Sequence, residues 1–309
     1  MNWHVYLPIA GTSVNIFTLL GLGGAVGFLS GLFGVGGGFL MTPLLMMVGI
    51  PPVVAAASDS NQIVAASASA TYAHYRMGNV DFKMGFLLLI GGVVGGTVGV
   101  QLIKVLTGLG NADFVMKITY VVMLGVVGSY MFLESLQSLR KFSPDVHARE
   151  AAGPSLYARA IRSLPWQMSF PKSGVYLSPV LPVILGGLVG ILAAIMGVGG
   201  GFIMVPVMVY LLRMPMHVVV GTSLFQILFT CINVTIMQAA TNHAVDIILA
   251  LLLLLGSTVG AQFGARLSRR LKGDQLKIVL ASVVLLVMIQ MLVGLIIPPK
   301  GMLVYKGGH

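Results

Sequence analysis

The chain has 309 residues, of which 57% are hydrophobic and only 8% charged, with a mean hydropathy of +0.98. No soluble domain of this size has that balance. Several apolar runs reach the roughly 18–20 residues needed to cross a bilayer, so the fold class is an all-α polytopic membrane protein. The formal net charge of +10 does not point to nucleic acid, because Lys and Arg cluster between the apolar runs, where they set topology.

Residues 1–15 are short and mixed, with Trp3 and Tyr6 suited to a membrane interface. The beginning of the chain has no positively charged region followed by an apolar stretch and a small-residue cleavage site, so no cleaved signal peptide is expected. Neither end carries a lipidation motif. The first span is expected from Ile16 to Phe33. It runs into Gly34-Val35-Gly36-Gly37-Gly38-Phe39-Leu40-Met41-Thr42-Pro43, and this decapeptide recurs at eight of ten positions as Gly197-Val198-Gly199-Gly200-Gly201-Phe202-Ile203-Met204-Val205-Pro206. Such glycine clusters permit backbone that other residues resist and let a helix stop and restart. In lipid a break of that kind is tolerated only when buried in protein or facing a wet cavity. Close packing of neighbouring helices is the plainer reading. Two copies, each followed by a proline, favour the break, which is the best sequence pointer to a transporter's binding site.

Phe39 to Gly49 is apolar but too short to span upright, and Pro51-Pro52 turns the chain. Val53 to Tyr75 is long enough to span but carries Ser58, Asp59, Ser60, Asn61 and Gln62 in its first half. Arg76 to Lys83 is a polar turn. Met84 to Leu106 is a clean span with Gly91, Gly95 and Gly99 on one face, the spacing of close helix contacts in membranes. Phe114 to Leu136 is the next span.

From Arg140 to Ser178 basic residues and prolines replace the apolar pattern, as in a linker. The second half then replays the first. Val180 to Met196 leads into the second glycine cluster, Phe202 to Leu212 is short, Pro215 answers Pro51, and Val218 to Ala240 answers Val53 to Tyr75. Val245-Asp246 answers Val80-Asp81, Gly256, Gly260 and Gly264 answer Gly91, Gly95 and Gly99, and Ile278 to Ile297 is the last span. An internal duplication follows, dividing the chain into a membrane repeat over 1–138, a basic cytoplasmic linker over 139–178 and a second membrane repeat over 179–309.

Two topologies compete. If the glycine-broken segment counts as one span, each half has four crossings and the repeats are parallel. If the short piece after the glycines turns back, each half has five and the repeats are inverted. The linker and the cluster Arg266, Arg269, Arg270, Lys272 and Lys277 fall on one side only in the second case, so the positive-inside rule favours inverted repeats.

Ser223, Gln226, Thr230 and Asn233 lie three, four and three apart, one stripe of a helix. The register places Asp59, Gln62, Ala66 and Ser69 at the same positions of the first half. Polar stripes in spans face protein or water. They serve either as bundle-holding hydrogen bonds or as a substrate pathway, and their place just after each broken segment favours the pathway. Asp59 is the one intramembrane acid of note. Its insertion costs about 2.5–3.5 kcal/mol unless solvated or neutralised, and burial favours the protonated form, which makes Asp59 the candidate proton carrier. Solvation near the surface by Ser and Asn neighbours is the competing role. His74, His217 and His243 sit at span ends, where histidines ordinarily have no special role, and the methionines are packing residues. No His, Cys, Asp and Glu cluster has metal-ligand spacing, and Cys231 stands alone in an apolar run, so no disulfide within the chain is expected. The glycine motif lacks the Gly-Lys-Ser/Thr ending and the preceding strand of a P-loop.

With both halves in view, the chain resembles the TauE/SafE family of membrane transporters, the sulfite exporters. The glycine motif with its proline in both copies carries the likeness, together with Pro215-Met216-His217-Val218-Val219-Val220-Gly221-Thr222-Ser223-Leu224 and the turn Gly78-Asn79-Val80-Asp81. The resemblance covers both membrane halves and implies a carrier in a prokaryotic inner membrane for a small anion, sulfite or an organosulfur compound, with no bound cofactor. Where the second half has Thr222-Ser223-Leu224 the first has Ser58-Asp59-Ser60, a departure that bears on substrate and coupling ion. The expected function is secondary transport of a small anion, coupled to protons if Asp59 titrates. The candidate substrate contacts are Gly34, Gly36, Gly37, Gly38, Ser58, Asp59, Gln62, Gly197, Gly199, Gly200, Gly201, Thr222, Ser223, Gln226 and Asn233. A passive anion channel on the same scaffold is the alternative, and a membrane-embedded enzyme, which needs convergent acids, bases or metal ligands at membrane depth, is a more distant one. The expected partners are the anion and the bilayer, with no nucleic acid; the sequence leaves the oligomeric state open.

Overall fold

The computed structural model of the chain describes residues 3–33, 38–140, 166–268 and 273–296. Among them ten α-helices carry the fold. The first half holds α1 (Ile16–Phe33), α2 (Gly38–Met47), α3 (Pro52–Arg76), α4 (Phe82–Gly108) and α5 (Ala112–Arg140). The second holds α6 (Val180–Met196), α7 (Gly201–Pro206), which continues as a π-helical turn Val207–Leu211, then α8 (Met216–Met237), α9 (Ile247–Ser268) and α10 (Gly273–Ile296). Four helical stretches are long and apolar enough to cross a membrane: Phe82–Gly108, Ala112–Tyr130, His217–Asn242 and Ile247–Gly264. The protein is a multi-pass membrane protein.

Each half opens with a two-stranded antiparallel hairpin that the sequence reading missed. β1 (His4–Leu7) pairs with β2 (Thr12–Asn15) ahead of α1, and β3 (Met168–Phe170) pairs with β4 (Val175–Leu177) ahead of α6. The last part of the expected linker is therefore ordered structure at the start of the second half. The hairpin turns carry left-handed glycines, Gly11 (φ 64°) and Gly174 (φ 65°). The left-handed positions Gly49 and Gly78 after α2 and α3 are answered by Arg213 (φ 54°) and His243 (φ 49°) after α7 and α8.

α4 buries small residues and exposes large ones, the reverse of a helix in a soluble bundle. On α4, Phe86, Ile90, Val94, Val98 and Leu102 face outward while Gly91, Gly92, Gly95, Gly96 and Gly99 are buried. With no aqueous driving force between helices, close backbone approach takes over. A β-carbon at Gly95 would collide with the carbonyl of Gly187, and one at Gly260 with that of Gly24.

Four extensive helix pairs follow: α1 with α9, α4 with α6, α3 with α8, and α5 with α10. Gly91, Gly95 and Gly99 of α4 meet Val183, Gly187 and Ile191 of α6 in ascending order, so these two helices are parallel. Gly23 and Gly27 of α1 meet Leu253 and Ser257 of α9 in the same sense. Gly125 and Gly128 of α5 face Met288 and Val284 of α10 in descending order, so that pair is antiparallel. His74 and Asn79, at and after the end of α3, abut Gly221 at the start of α8, while Ser58 near the start of α3 bonds the backbone of Asp246 just before α9. Hence α3 and α8 are antiparallel too. One end of the bundle collects the α3–α4 turn, the ends of α5 and α9 and the start of α6, together with Arg76, Lys83, Arg140, Lys172 and Arg266; we call it the basic end. The other collects the β1–β2 hairpin and the α2–α3, α4–α5 and α8–α9 turns.

Two aspartates tie the halves together. Asp81 caps α4, accepting from the Met84 amide at 3.2 Å. Its other oxygen accepts from the amide and hydroxyl of Ser173 in the β3–β4 turn, and its own amide donates to Thr222 Oγ1 at 3.0 Å. Asp246 repeats the pattern. It accepts from the Leu249 amide in α9 and from the Ile9 amide in the β1–β2 turn, each at 3.1 Å, and its amide donates to Ser58 Oγ at 3.1 Å.

Candidate functional site

The second glycine cluster is a break. α6 stops at Met196. Gly197, Gly199 and Gly200 all adopt left-handed backbone, with φ 69°, 68° and 78°, and α7 starts at Gly201. The segment from Gly197 to Gly201 is buried. Carbonyls released at a helix end need partners, and here other helices supply them. Tyr120 donates its hydroxyl to Met196 O, and Ser60 donates to Gly197 O at 3.3 Å as well as to Ala56 O at 3.0 Å. A side chain at Gly197 would collide with the backbone of Ala56. Of the first cluster, Gly34, Gly36 and Gly37 lie outside the described residues. Gly38 begins α2, and its Cα faces Ile63 of α3 and the Cα of Val198. The rings of Phe39 and Phe202, equivalent residues of the two motifs, stack with centroids 4.5 Å apart. The two motifs therefore meet.

A cavity of about 460 Å³ lies between α1, α3, α8 and α9 and includes Gln62, the residue before Ile63, which faces the junction. Its walls come from the second half of α1, from α3 and α9 between their middles and their ends, and from the first turns of α8, so it runs from the middle of the bundle toward the basic end. Gln62 lies on its wall, 8% exposed, and its Oε1 has no hydrogen-bond partner among the described residues. Ser30, Ser67, Ser69, Ser257, Thr258 and Gln262 supply hydroxyls and an amide, and Val26, Leu224 and Leu254 supply apolar surface. No Asp, Glu, Lys or Arg is among the lining residues, and His74, whose Nδ1 is also unpartnered, is the lone ionisable group there. A smaller cavity of about 230 Å³ between α3 and α9 shares Gln62.

The remaining expected contacts distribute as follows. Asp59 is fully buried, and its Oδ2 accepts from Thr42 Oγ1 of α2 at 2.9 Å. Its Oδ1 has no partner among the described residues, and Asp59 is not on the cavity wall. Ser58 and Thr222 hold the amides of Asp246 and Asp81. Ser223 bonds back to Val220 O at 3.1 Å. Gln226 donates to Thr230 Oγ1 at 2.9 Å, and Asn233 donates to Val93 O at 3.2 Å and Thr97 Oγ1 at 3.1 Å on α4. Gln62 is thus the expected side chain that lines the cavity, and the second-half stripe packs on α4. The sequence reading did not single out Ser30, Ser67, Ser257, Thr258 or Gln262. Ser257 and Ala261 directly follow the helix-contact glycines Gly256 and Gly260, a signal that becomes readable once the facing helix is known. Among the described residues no group of His, Cys, Asp and Glu could hold a metal ion.

The family model described as sulfite exporter TauE/SafE matches residues 19–291. The probable membrane transporter protein YunE of Bacillus subtilis (strain 168) is 27% identical over 288 residues, covering 91% of this chain and 97% of that protein. A probable membrane transporter protein of Xylella fastidiosa (strain 9a5c) is 27% identical over 266 residues, 85% of this chain and 89% of that protein. Sulfite exporter TauE/SafE family protein 2 of Arabidopsis thaliana is 33% identical over 98 residues, 31% of this chain and 21% of that protein. No solved structure matches the chain. A match running from α1 to α10 takes in the cavity, the glycine motifs and both Asp81 and Asp246, and the chain belongs to the sulfite exporter TauE/SafE family, membrane transporters rather than enzymes.

Proposed function

We propose that the chain is a secondary transporter that moves a small anion, sulfite, a sulfonate or another organosulfur anion, across the inner membrane of a prokaryote. The observation that carries the reading is the cavity whose polar wall reaches Gln62 beside the junction of the two glycine motifs. Its size suits a small ligand. The Gln62 and Gln262 amide N–H groups and the Ser30 and Ser67 hydroxyls are neutral donors that suit an anion that must also leave, since a fixed cation would hold it too tightly; the Ser69, Ser257 and Thr258 hydroxyls donate to carbonyls of their own helices. The first turn of α2, which begins at Gly38 against Ile63, offers backbone amides at a helix start, where negative charge is favoured.

The two halves act as inverted repeats, with the β3–β4 hairpin belonging to the second. Antiparallel α3 and α8, antiparallel α5 and α10, and the matched aspartate ties support this arrangement. The linker and the loop from Arg266 to Lys277 then share the basic end, which the positive-inside rule places in the cytoplasm. The cavity is accordingly the inward-facing half of the pathway. Asp59, one turn from Gln62 and shielded from the cavity, would act as a proton carrier through the packing of α2 on α3, without touching substrate.

The test is uptake into proteoliposomes against a panel of sulfur oxyanions and sulfonates, with counterflow. Uptake of at least one anion, accelerated by the same anion on the far side, is the expected outcome. Uptake without trans-acceleration would make the protein a channel, and no uptake of any anion would end the reading.

A further inference from the structure

The basic-end cavity has a counterpart that is shut. Substituting register-equivalent residues maps its wall of α1, α3, α8 and α9 onto α6, α8, α3 and α4. Ala66 corresponds to Thr230, Ser69 to Asn233, Ser257 to Gly92, Ala261 to Gly96 and Gln262 to Thr97. On the cavity side Ala66, Ser69 and Gln262 are exposed; on the other Thr230 is completely buried and Gly92 and Gly96 are buried. α4 lies along much of α8, whereas α9 touches α3 over a shorter stretch.

The closure has a specific chemistry. A β-carbon at Gly92 would press on Thr230 Oγ1 and Gln226 Nε2, so the two glycines let α4 settle directly onto the polar stripe of α8. Asn233 then bridges to Val93 O and Thr97 Oγ1 across the seam. Gln226 is fully buried beside that seam, yet its Oε1 has no hydrogen-bond partner among the described residues. A buried carbonyl oxygen without a partner costs stability and is expected where water, or the O–H of a protonated oxyanion, donates to it in another state; the donors for the anion itself are Gln226 Nε2, Asn233 Nδ2 and the Thr230 hydroxyl. The same elements therefore occupy two arrangements in one molecule, open around Gln62 and closed around Gln226.

We infer that the α4–α8 seam is the second mouth of the pathway, and that Gln226, Thr230 and Asn233 contact the anion when it opens while Ala66 and Ala261 close the basic end. This rests on the carrier reading above and adds to it which residues form the outer site. Opening the seam means trading the Asn233 bonds to α4 for bonds to the anion, and closing the other side brings Ala261 of α9 onto Ala66 of α3. Both positions are small, as that closure requires.

The experiment is thiol labelling on a Cys231→Ser background in sealed vesicles of each orientation, with a membrane-impermeant methanethiosulfonate. Ala66→Cys should react from the basic end and Thr230→Cys from the opposite face. Thr97→Val, which removes one seam hydrogen bond worth roughly a fivefold population shift, should speed Thr230→Cys labelling by about that factor and slow Ala66→Cys labelling. The pair Gln262→Cys and Thr97→Cys repeats the comparison should Thr230→Cys fail to assemble. Whichever anion gives counterflow should protect Thr230→Cys. Labelling of Thr230→Cys from the basic end, or of neither seam cysteine from the opposite face by a protein that carries out counterflow, would overturn the inference. Absence of counterflow with every anion instead sinks the carrier reading, and labelling of the seam cysteines from the opposite face would still establish the second mouth.

Discussion

Gly197, Gly199 and Gly200 hold backbone that other residues adopt at a cost of roughly 1–2 kcal/mol each, and each is also packed from outside. A side chain at Gly200 would press on Val189 of α6, the helix it has just left. Gly200→Val should therefore abolish transport while a fraction of the protein still reaches the membrane, measured as uptake normalised to surface protein. The break was legible in the sequence because the glycine motif that carries it occurs twice, with a proline at the same position each time. The location of Asp59 was less so. Its neighbours along the chain are polar, but the residue that satisfies it is Thr42 on α2, and no periodicity within α3 announces a partner on another helix. Asp59→Asn preserves the shape and the Thr42 bond and removes the titration. If the proton on Asp59 is the coupled one, substrate and proton move together, so the variant should keep counterflow and lose accumulation driven by an inward proton gradient. Accumulation with wild-type pH dependence would remove Asp59 from the mechanism and leave Gln62 and the glycine motifs.

At the scale of elements, the helices were readable and the hairpins were not. Long apolar runs interrupted by glycine, proline and basic clusters give helix positions to within a few residues; α3 begins at Pro52 where Val53 was expected, and α5 continues past Leu136 to Arg140. Strands of three or four residues such as Met168–Phe170 carry too little alternation to be seen, and the aspartate that accepts from each hairpin turn lies in the other half. Asp81 and Asp246 could be aligned with each other by sequence, but not recognised as ties, because their partners Ser173, Thr222, Ile9 and Ser58 are all distant along the chain. Each aspartate caps a helix, worth about 1 kcal/mol, and satisfies a hairpin turn, worth about another. Asp81→Ala and Asp246→Ala should each destabilise the detergent-solubilised protein by roughly 2 kcal/mol, read as a lowered thermal midpoint. The paired variant should lose about the sum, since the ties sit at opposite ends of the bundle. A single variant with an unchanged midpoint would reduce the ties to incidental contacts.

For the whole molecule, the directions of the helices decide which loops share a face. α4 leaves the basic end, α5 returns to it, α6 starts there beside Asp81, and α9, parallel to α1, finishes there. The end of α5 and the end of α9 therefore lie at one end of the bundle, with Arg76 and Lys83 about the α3–α4 turn. The short turn Leu109–Asn111 between α4 and α5 emerges opposite, with the β1–β2 hairpin. On the orientation proposed above the basic face is the cytoplasmic one, and the cavity turns with it. Single cysteines on the Cys231→Ser background test the arrangement in intact cells. Asn111→Cys should react with an impermeant thiol reagent, while Ser155→Cys in the linker and Ser268→Cys at the end of α9 should react only after the membrane is permeabilised. Reaction of both basic-face cysteines in intact cells, with Asn111→Cys protected, would keep the fold and reverse its orientation, turning the cavity outward. Reaction of just one of Ser155→Cys and Ser268→Cys would break the inverted arrangement itself, because no path through antiparallel α3 and α8 puts those two segments on different faces.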